Sequence, residues 1–139
     1  MQLFGLTIYS VATIFISISD LRYRIIRNRD LIIFLIVSMI IHFSNLTLET
    51  LKSLIWISLC CLVLALLSQG KIGAGDLKLF WVVSFWTSSF SNWLEGLAIS
   101  WILGGLFAIA NAAFNSRRRQ RNMTIPFAPF IFLGFLPVI

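Results

Sequence analysis

Acidic side chains are scarce in this chain: Asp20, Asp30, Asp76, Glu49 and Glu95 are all it has in 139 residues. Histidine occurs once, as His42, and cysteine twice, as the adjacent pair Cys60 and Cys61. Each scarcity removes a class of chemistry. Two neighbouring cysteines with no third make no disulfide framework, and without a Cys-x-x-Cys pair or a Cys/His cluster no structural zinc site is expected. His42 falls toward the outer end of an apolar segment, where a lone histidine is expected to be packed or interfacial rather than a base. Serine chemistry would need a base on the serine's own face, and none is found. No metal and no cofactor are expected. Charged residues make up only 12% of the chain, against about 25% in ordinary soluble domains.

What is present instead is apolar surface, 59% of the residues. So short a chain cannot hide that much from water, whereas a bundle of membrane helices can leave it facing lipid. The expected fold is therefore all-α: a polytopic membrane helical bundle of about six transmembrane helices, forming one domain over residues 1–139 with no linker. The apolar segments are residues 3–19, 31–48, 51–68, 77–93, 94–114 and 126–139. Most can cross a hydrocarbon core of about 30 Å at about 1.5 Å per residue. The sixth is short and opens with Pro126 and Pro129, so a broken or partly inserted helix is expected there.

The net charge of +6 does not point to nucleic acid, because the basic residues lie in short loops between apolar segments. Arg22, Arg24, Arg27 and Arg29 follow the first segment. Lys71 and Lys78 follow the third, and Arg117, Arg118, Arg119 and Arg121 follow the fifth. Only Lys52 falls on the other side. The positive-inside bias places these three loops in the cytoplasm and the N-terminus outside. Residues 1–5 carry no positive charge and no small-x-small site precedes Asp20, so a cleavable signal is not expected.

Parity then brings two carboxylates together. The first segment enters the cytoplasmic face at Asp20 and the fourth leaves it at Asp76. Ser10, Thr13 and Ser17 share a helical face with Asp20, and Ser84, Thr87 and Ser91 share one with Asp76; helix-helix hydrogen bonding is the plain role for these hydroxyls. Gly96, Ser100, Gly104, Ala108 and Ala112 form a small-residue stripe that lets a neighbouring helix approach closely. Gly73 and Gly75, in the polar interruption before Asp76, leave the backbone free to turn and to be approached. Asp76 and Asp30 both open apolar runs, where helix capping is the ordinary role. Glu49 and Glu95 read as solvated loop ends.

Two aspartates close enough to share a proton cannot both ionise cheaply. One stays a carboxylate that can take a proton from water, while the other, as the acid, can protonate a carbonyl oxygen. The pair titrates as a unit and can hydrolyse a peptide bond with neither metal nor covalent intermediate.

Three stretches carry a resemblance. Asp20-Leu21-Arg22-Tyr23-Arg24-Ile25-Ile26-Arg27-Asn28 resembles the first aspartate motif of the type IV prepilin peptidases. Gly73-Ala74-Gly75-Asp76-Leu77-Lys78 is similar to their Gly-x-Gly-Asp-x-Lys motif, and Ile125-Pro126-Phe127-Ala128-Pro129-Phe130 to the proline-containing segment opening their last helix. The three come in family order. The resemblance implies a membrane aspartyl endopeptidase of the cytoplasmic (inner) membrane that removes the basic leader of prepilin-like proteins at the cytoplasmic face. Asp20 and Asp76 would be its catalytic pair and Gly73 and Gly75 would shape the active-site loop. Lys78 would be a nearby cation, with Asn28, Pro126 and Pro129 supporting. The implied partners are a prepilin substrate of a type IV pilus or related filament and the lipid bilayer. The length is similar to that of compact members serving tight-adherence pili, and no methyltransferase activity is expected. One departure stands out: Arg27 occupies a position where many relatives have proline, which removes a backbone constraint. The competing reading is a non-enzymatic assembly factor, or a small proton- or cation-coupled carrier, built on the same aspartates.

Overall fold

The computed structural model describes residues 2–43, 47–70, 72–114 and 125–139. Lys71 and the basic run of Arg117, Arg118, Arg119 and Arg121 lie outside the described residues. The fold is all-helical: α1 (Gln2–Tyr23), α2 (Asn28–His42), α3 (Leu48–Ser68), α4 (Ala74–Val83), α5 (Phe90–Phe114) and α6 (Ala128–Phe135). Short 3-10 turns continue α4 through Ser84–Trp86 and α6 through Leu136–Val138.

Three stretches, Phe4–Tyr23, Leu48–Ser68 and Phe90–Phe114, are long and apolar enough to cross a membrane. Among the described residues the other three helices are shorter. At about 1.5 Å per residue, the 10 residues of α4 reach only about 15 Å. The largest departure from expectation falls here. Residues 77–93 do not make one helix: the chain leaves helical geometry at Thr87 (φ −98°, ψ 141°). It restarts when the Ser89 hydroxyl accepts the Asn92 N–H at 3.2 Å. A serine hydroxyl capping the first turn outweighs the continuity of the apolar run, and α5 starts four residues earlier than hydropathy alone suggests. At α3 the same chemistry operates as a capping box between Thr47 and Thr50.

Aromatic side chains hold the bundle. Tyr9 of α1 lies 5.4 Å from the Trp86 ring and 5.4 Å from Phe132, with Phe34 of α2 at 6.3 Å. Its hydroxyl donates to the Phe132 carbonyl at 3.1 Å. The Trp86 indole N–H donates to Ser38 Oγ at 2.8 Å, and Trp93 donates to the Phe80 carbonyl at 2.9 Å. Buried indoles and phenols need such partners, and here they cross between helices.

The aliphatic hydroxyls mostly behave differently. Ser10 bonds the Leu6 carbonyl and Thr13 the Tyr9 carbonyl, each within α1. Ser84 bonds Trp81, and Thr87 bonds Ser84. Ser10 and Ser91 are exposed rather than turned inward. Back-bonding to the preceding turn satisfies a hydroxyl locally and asks nothing of a neighbour.

The small-residue stripe of α5 does receive a helix, namely α6. A Cβ on Gly96 would lie 2.7 Å from Phe135, and one on Gly104 would collide with Phe127. From the other side, a Cβ on Gly134 would come within 2.6 Å of the Ser100 backbone nitrogen. Ser100 also reaches the Ile131 carbonyl at 3.3 Å. Ala112, at the far end of the stripe, is exposed. His42 stands edge-on to Trp86 at 4.9 Å, packed as expected.

Candidate active site

Asp20 lies in the last turn of α1, whose end is set by backbone geometry. Arg24 adopts a left-handed conformation (φ 53°), and its N–H closes on the Asp20 carbonyl at 2.7 Å. The chain then folds back through Ile26, which is buried, into α2. Arg27 caps that helix with φ −73° and ψ 129°. That φ lies within the range proline imposes, about −65 ± 15°, so the loop keeps the shape a proline would give it. The Asp20 side chain is only 5% exposed.

Asp76 is the third residue of α4. Gly73 occupies the cap position in an extended conformation (φ −61°, ψ 133°), and its N–H is taken by the Asp76 carboxylate. This is half of a capping box, so the plain helix-terminus role is real. It also fixes where the carboxylate points. Neither Gly73 nor Gly75 has a positive φ; that geometry falls on Gln69 and Gly70. The two glycines matter for clearance. A Cβ on Gly73 would sit 2.9 Å from Asp76 Oδ2, and one on Gly75 would sit 3.0 Å from the Ile26 Cβ. Gly75 thereby lets α4 close against the loop that follows Asp20, and Gly73 leaves room for the carboxylate itself.

A third element arrives from the far end of the chain. The Ala128 N–H, in the first turn of α6, donates to Asp20 Oδ2 at 2.9 Å across 108 residues. The α6 cap residue, Phe127, provides no side-chain cap, so the carboxylate of α1 satisfies an otherwise orphaned donor. The N-terminus of α6 therefore meets Asp20, that of α4 carries Asp76, and the positive ends of both helix dipoles favour negative charge there. Pro129 lies in the first turn of α6 and Pro126 in the non-helical segment just before it.

Burial pushes the Asp76 carboxyl up from 3.8 to about 6, with the nearby charge of Asp20 adding to the effect and the Gly73 N–H opposing it. The charge of Asp20 is thus felt at Asp76, on the face that parity allows the two to share. Lys78 turns away: its ammonium donates to Asn28 Oδ1 at 3.0 Å, tying α4 to the start of α2. Asp30 sits in the first turn of α2 rather than at its cap, with Arg29 Nε 3.7 Å away.

The match to known proteins follows the same residues. The family model of the type IV leader peptidase family matches residues 7–109, which include both aspartates. The chain belongs to the type IV leader peptidase family. A curated relative is the "Prepilin leader peptidase/N-methyltransferase" of Bacillus subtilis (strain 168), 26% identical over 141 residues. The alignment takes in 96% of this chain and 54% of that protein, so the chain spans about half the length of the curated relative. No solved structure matches.

Sequence reading missed Ala128 and Ile26. The proline-containing stretch pointed to the neighbourhood of Ala128, but a backbone donor has no side-chain signature. Ile26 is an ordinary apolar residue whose importance lies in having Gly75 opposite it.

Proposed function

We propose that this leader peptidase family member is a membrane-embedded aspartyl endopeptidase. It removes the short basic leader of prepilin-like precursors, from a type IV pilus or related filament, at the cytoplasmic face of the inner membrane. Asp20 and Asp76 form the catalytic pair. What supports this reading is that Asp20 and Asp76 stand at converging helix ends, with the Asp76 carboxyl pushed up to about 6 by burial and by the charge of Asp20.

Asp76, with its raised pKa, acts as the acid and Asp20 as the base. Asp20 takes a proton from a water placed between them, the hydroxide oxygen attacks the scissile carbonyl carbon, and Asp76 protonates the carbonyl oxygen. Collapse of the tetrahedral diol breaks the C–N bond, with the Asp20 proton passing to the leaving nitrogen and a diol proton returning to Asp76. Asp20 keeps its orientation through the Ala128 N–H, and Gly73 keeps the Asp76 carboxylate unobstructed. Asn28 and Lys78 hold α4 beside α2, and Pro126 and Pro129 set the entry to α6. The N-terminus lies outside, and the loops following α1 and α3 face the cytoplasm. We assign no methyl-transfer step.

The deciding experiment is cleavage of a prepilin by membranes carrying Asp20→Asn or Asp76→Asn. Each is expected to lose cleavage by about three orders of magnitude or more, the scale of removing an essential catalytic group. Full activity in either variant overturns the assignment.

A further inference from the structure

A groove of about 800 Å³ runs between α1 and α2. Its walls are apolar side chains turned outward, among them Val11, Phe15, Ile18 and Ile33, each more than half exposed. At one end the lining changes to Arg22, Arg27 and Arg29, with Asp30 as the single acid.

The cations are not equivalent. Arg29 has Asp30 beside it at 3.7 Å. Arg22 and Arg27 instead share one ring, their guanidinium carbons 5.5 and 5.0 Å from the Tyr23 centroid. Among the described residues neither has a carboxylate partner. Two planar cations are therefore gathered around one aromatic side chain with their charge uncompensated. They sit where the long apolar stretch Phe4–Tyr23 ends, and the end of a spanning helix is where basic side chains meet lipid headgroups. Guanidinium forks match phosphate oxygens bidentately, and the trough running from them is hydrocarbon-lined.

We propose that this groove holds an anionic phospholipid of the surrounding bilayer, with an acyl chain along the α1–α2 trough and its phosphate between Arg22 and Arg27. The bound headgroup offsets the positive charge of the loop that follows Asp20. It thereby removes a repulsion that a basic segment approaching that loop would otherwise meet. This last consequence rests on the peptidase reading; the binding itself does not.

The test reads binding, not cleavage. The full chain in neutral detergent is mixed with equal phosphatidylglycerol and phosphatidylcholine and studied by native mass spectrometry. Phosphatidylglycerol is expected to be retained preferentially. In Arg22→Gln/Arg27→Gln that preference falls about tenfold or more, as removal of two basic contacts to an anionic headgroup requires. Arg22→Lys/Arg27→Lys retains part of it. A second measurement keeps all the arginines: Phe15→Trp places an indole on the groove wall, and phosphatidylglycerol brominated in its acyl chains quenches it more than the matching phosphatidylcholine does. Equal retention and equal quenching by the two lipids overturn the proposal, as an apolar helix of another protein or a second copy of this chain would produce. Displacement of the lipid by inorganic phosphate alone overturns it too, leaving only an anion site. Loss of prepilin cleavage in the Asp76→Asn variant leaves these readouts unchanged.

Discussion

Asp76 is where residue-scale chemistry can be read most directly. Its folded-state pKa of about 6 stands above the ordinary 3.8. Between those values the folded protein holds the proton more tightly than the unfolded chain does. Stability therefore falls as pH rises through that window, and the penalty is fully present above pH 6. Asp76→Asn removes it. The variant is expected to melt higher than the parent at pH 7, by about 1–2 kcal/mol once the carboxyl's partial exposure is discounted. The gap should close by about pH 4, where the parent's carboxyl is mostly protonated. Thermal melts in detergent at both pH values check this. If Asp76 supplies the acid, kcat/KM for cleavage should fall above pH 6, toward tenfold per unit.

The two motif glycines should separate into different phenotypes. Gly73→Ala places a methyl 2.9 Å from Asp76 Oδ2 and should cut cleavage with little loss of stability. Gly75→Ala meets Ile26 instead and should destabilise by about 1–3 kcal/mol, as overpacking does. Gly75→Ala/Ile26→Gly, which removes the Cβ that the new methyl meets, should cost less than the sum of the two single changes, because the sites are in contact. A melting and activity measurement on the set decides it. Both glycines were visible in the sequence, but their tasks were not. A glycine chosen for clearance looks the same as one chosen for a left-handed turn until its neighbours are known.

At the scale of elements, the α5–α6 contact controls how α6 sits on Asp20. Gly134→Ala forces a methyl toward the Ser100 backbone nitrogen and the Gly96 carbonyl oxygen, which cannot rotate away. We expect a loss of about 2 kcal/mol or more, together with weakened cleavage as the Ala128 N–H shifts off Asp20. Gly105 faces open space, with nothing within 4 Å of where a methyl would go, so Gly105→Ala should be neutral or stabilise by up to about 1 kcal/mol. Chemical denaturation and cleavage of the pair test this. The helices themselves were legible because apolar runs between polar loops leave little choice. Their ends were less so. The Ser89 cap of α5 lies inside a hydrophobic stretch, and a single hydroxyl contact carries little weight in a hydropathy sum. The polar first turn of α2, Asn28-Arg29-Asp30, likewise belongs to the helix although it lies ahead of the apolar segment.

For the whole molecule, the charge count and the closeness of the α1 end to the α4 start lead to one prediction about sidedness. The ends of α1 and α3 and the starts of α2 and α4 share a face, and the end of α2 lies on the other. In a Cys60→Ala/Cys61→Ala background, Arg29→Cys and Ser68→Cys should be labelled by an impermeant maleimide only from the cytoplasmic side of inverted vesicles. Phe43→Cys should react only from outside. That the end of α1 and the start of α4 come together at one side of the bundle was legible in the sequence, because parity is a global property. What joins α6 to α1 was not, since that link is a main-chain N–H meeting a carboxylate 108 positions away.

That link gives Asp20 a dual employment. The same carboxylate that would work on substrate also moors the final helix, so alanine at this position would strip the reagent and cast off its anchor at once. Asparagine, which retains an oxygen for Ala128, isolates the chemistry. A dead alanine variant would therefore say less about catalysis than a dead asparagine one.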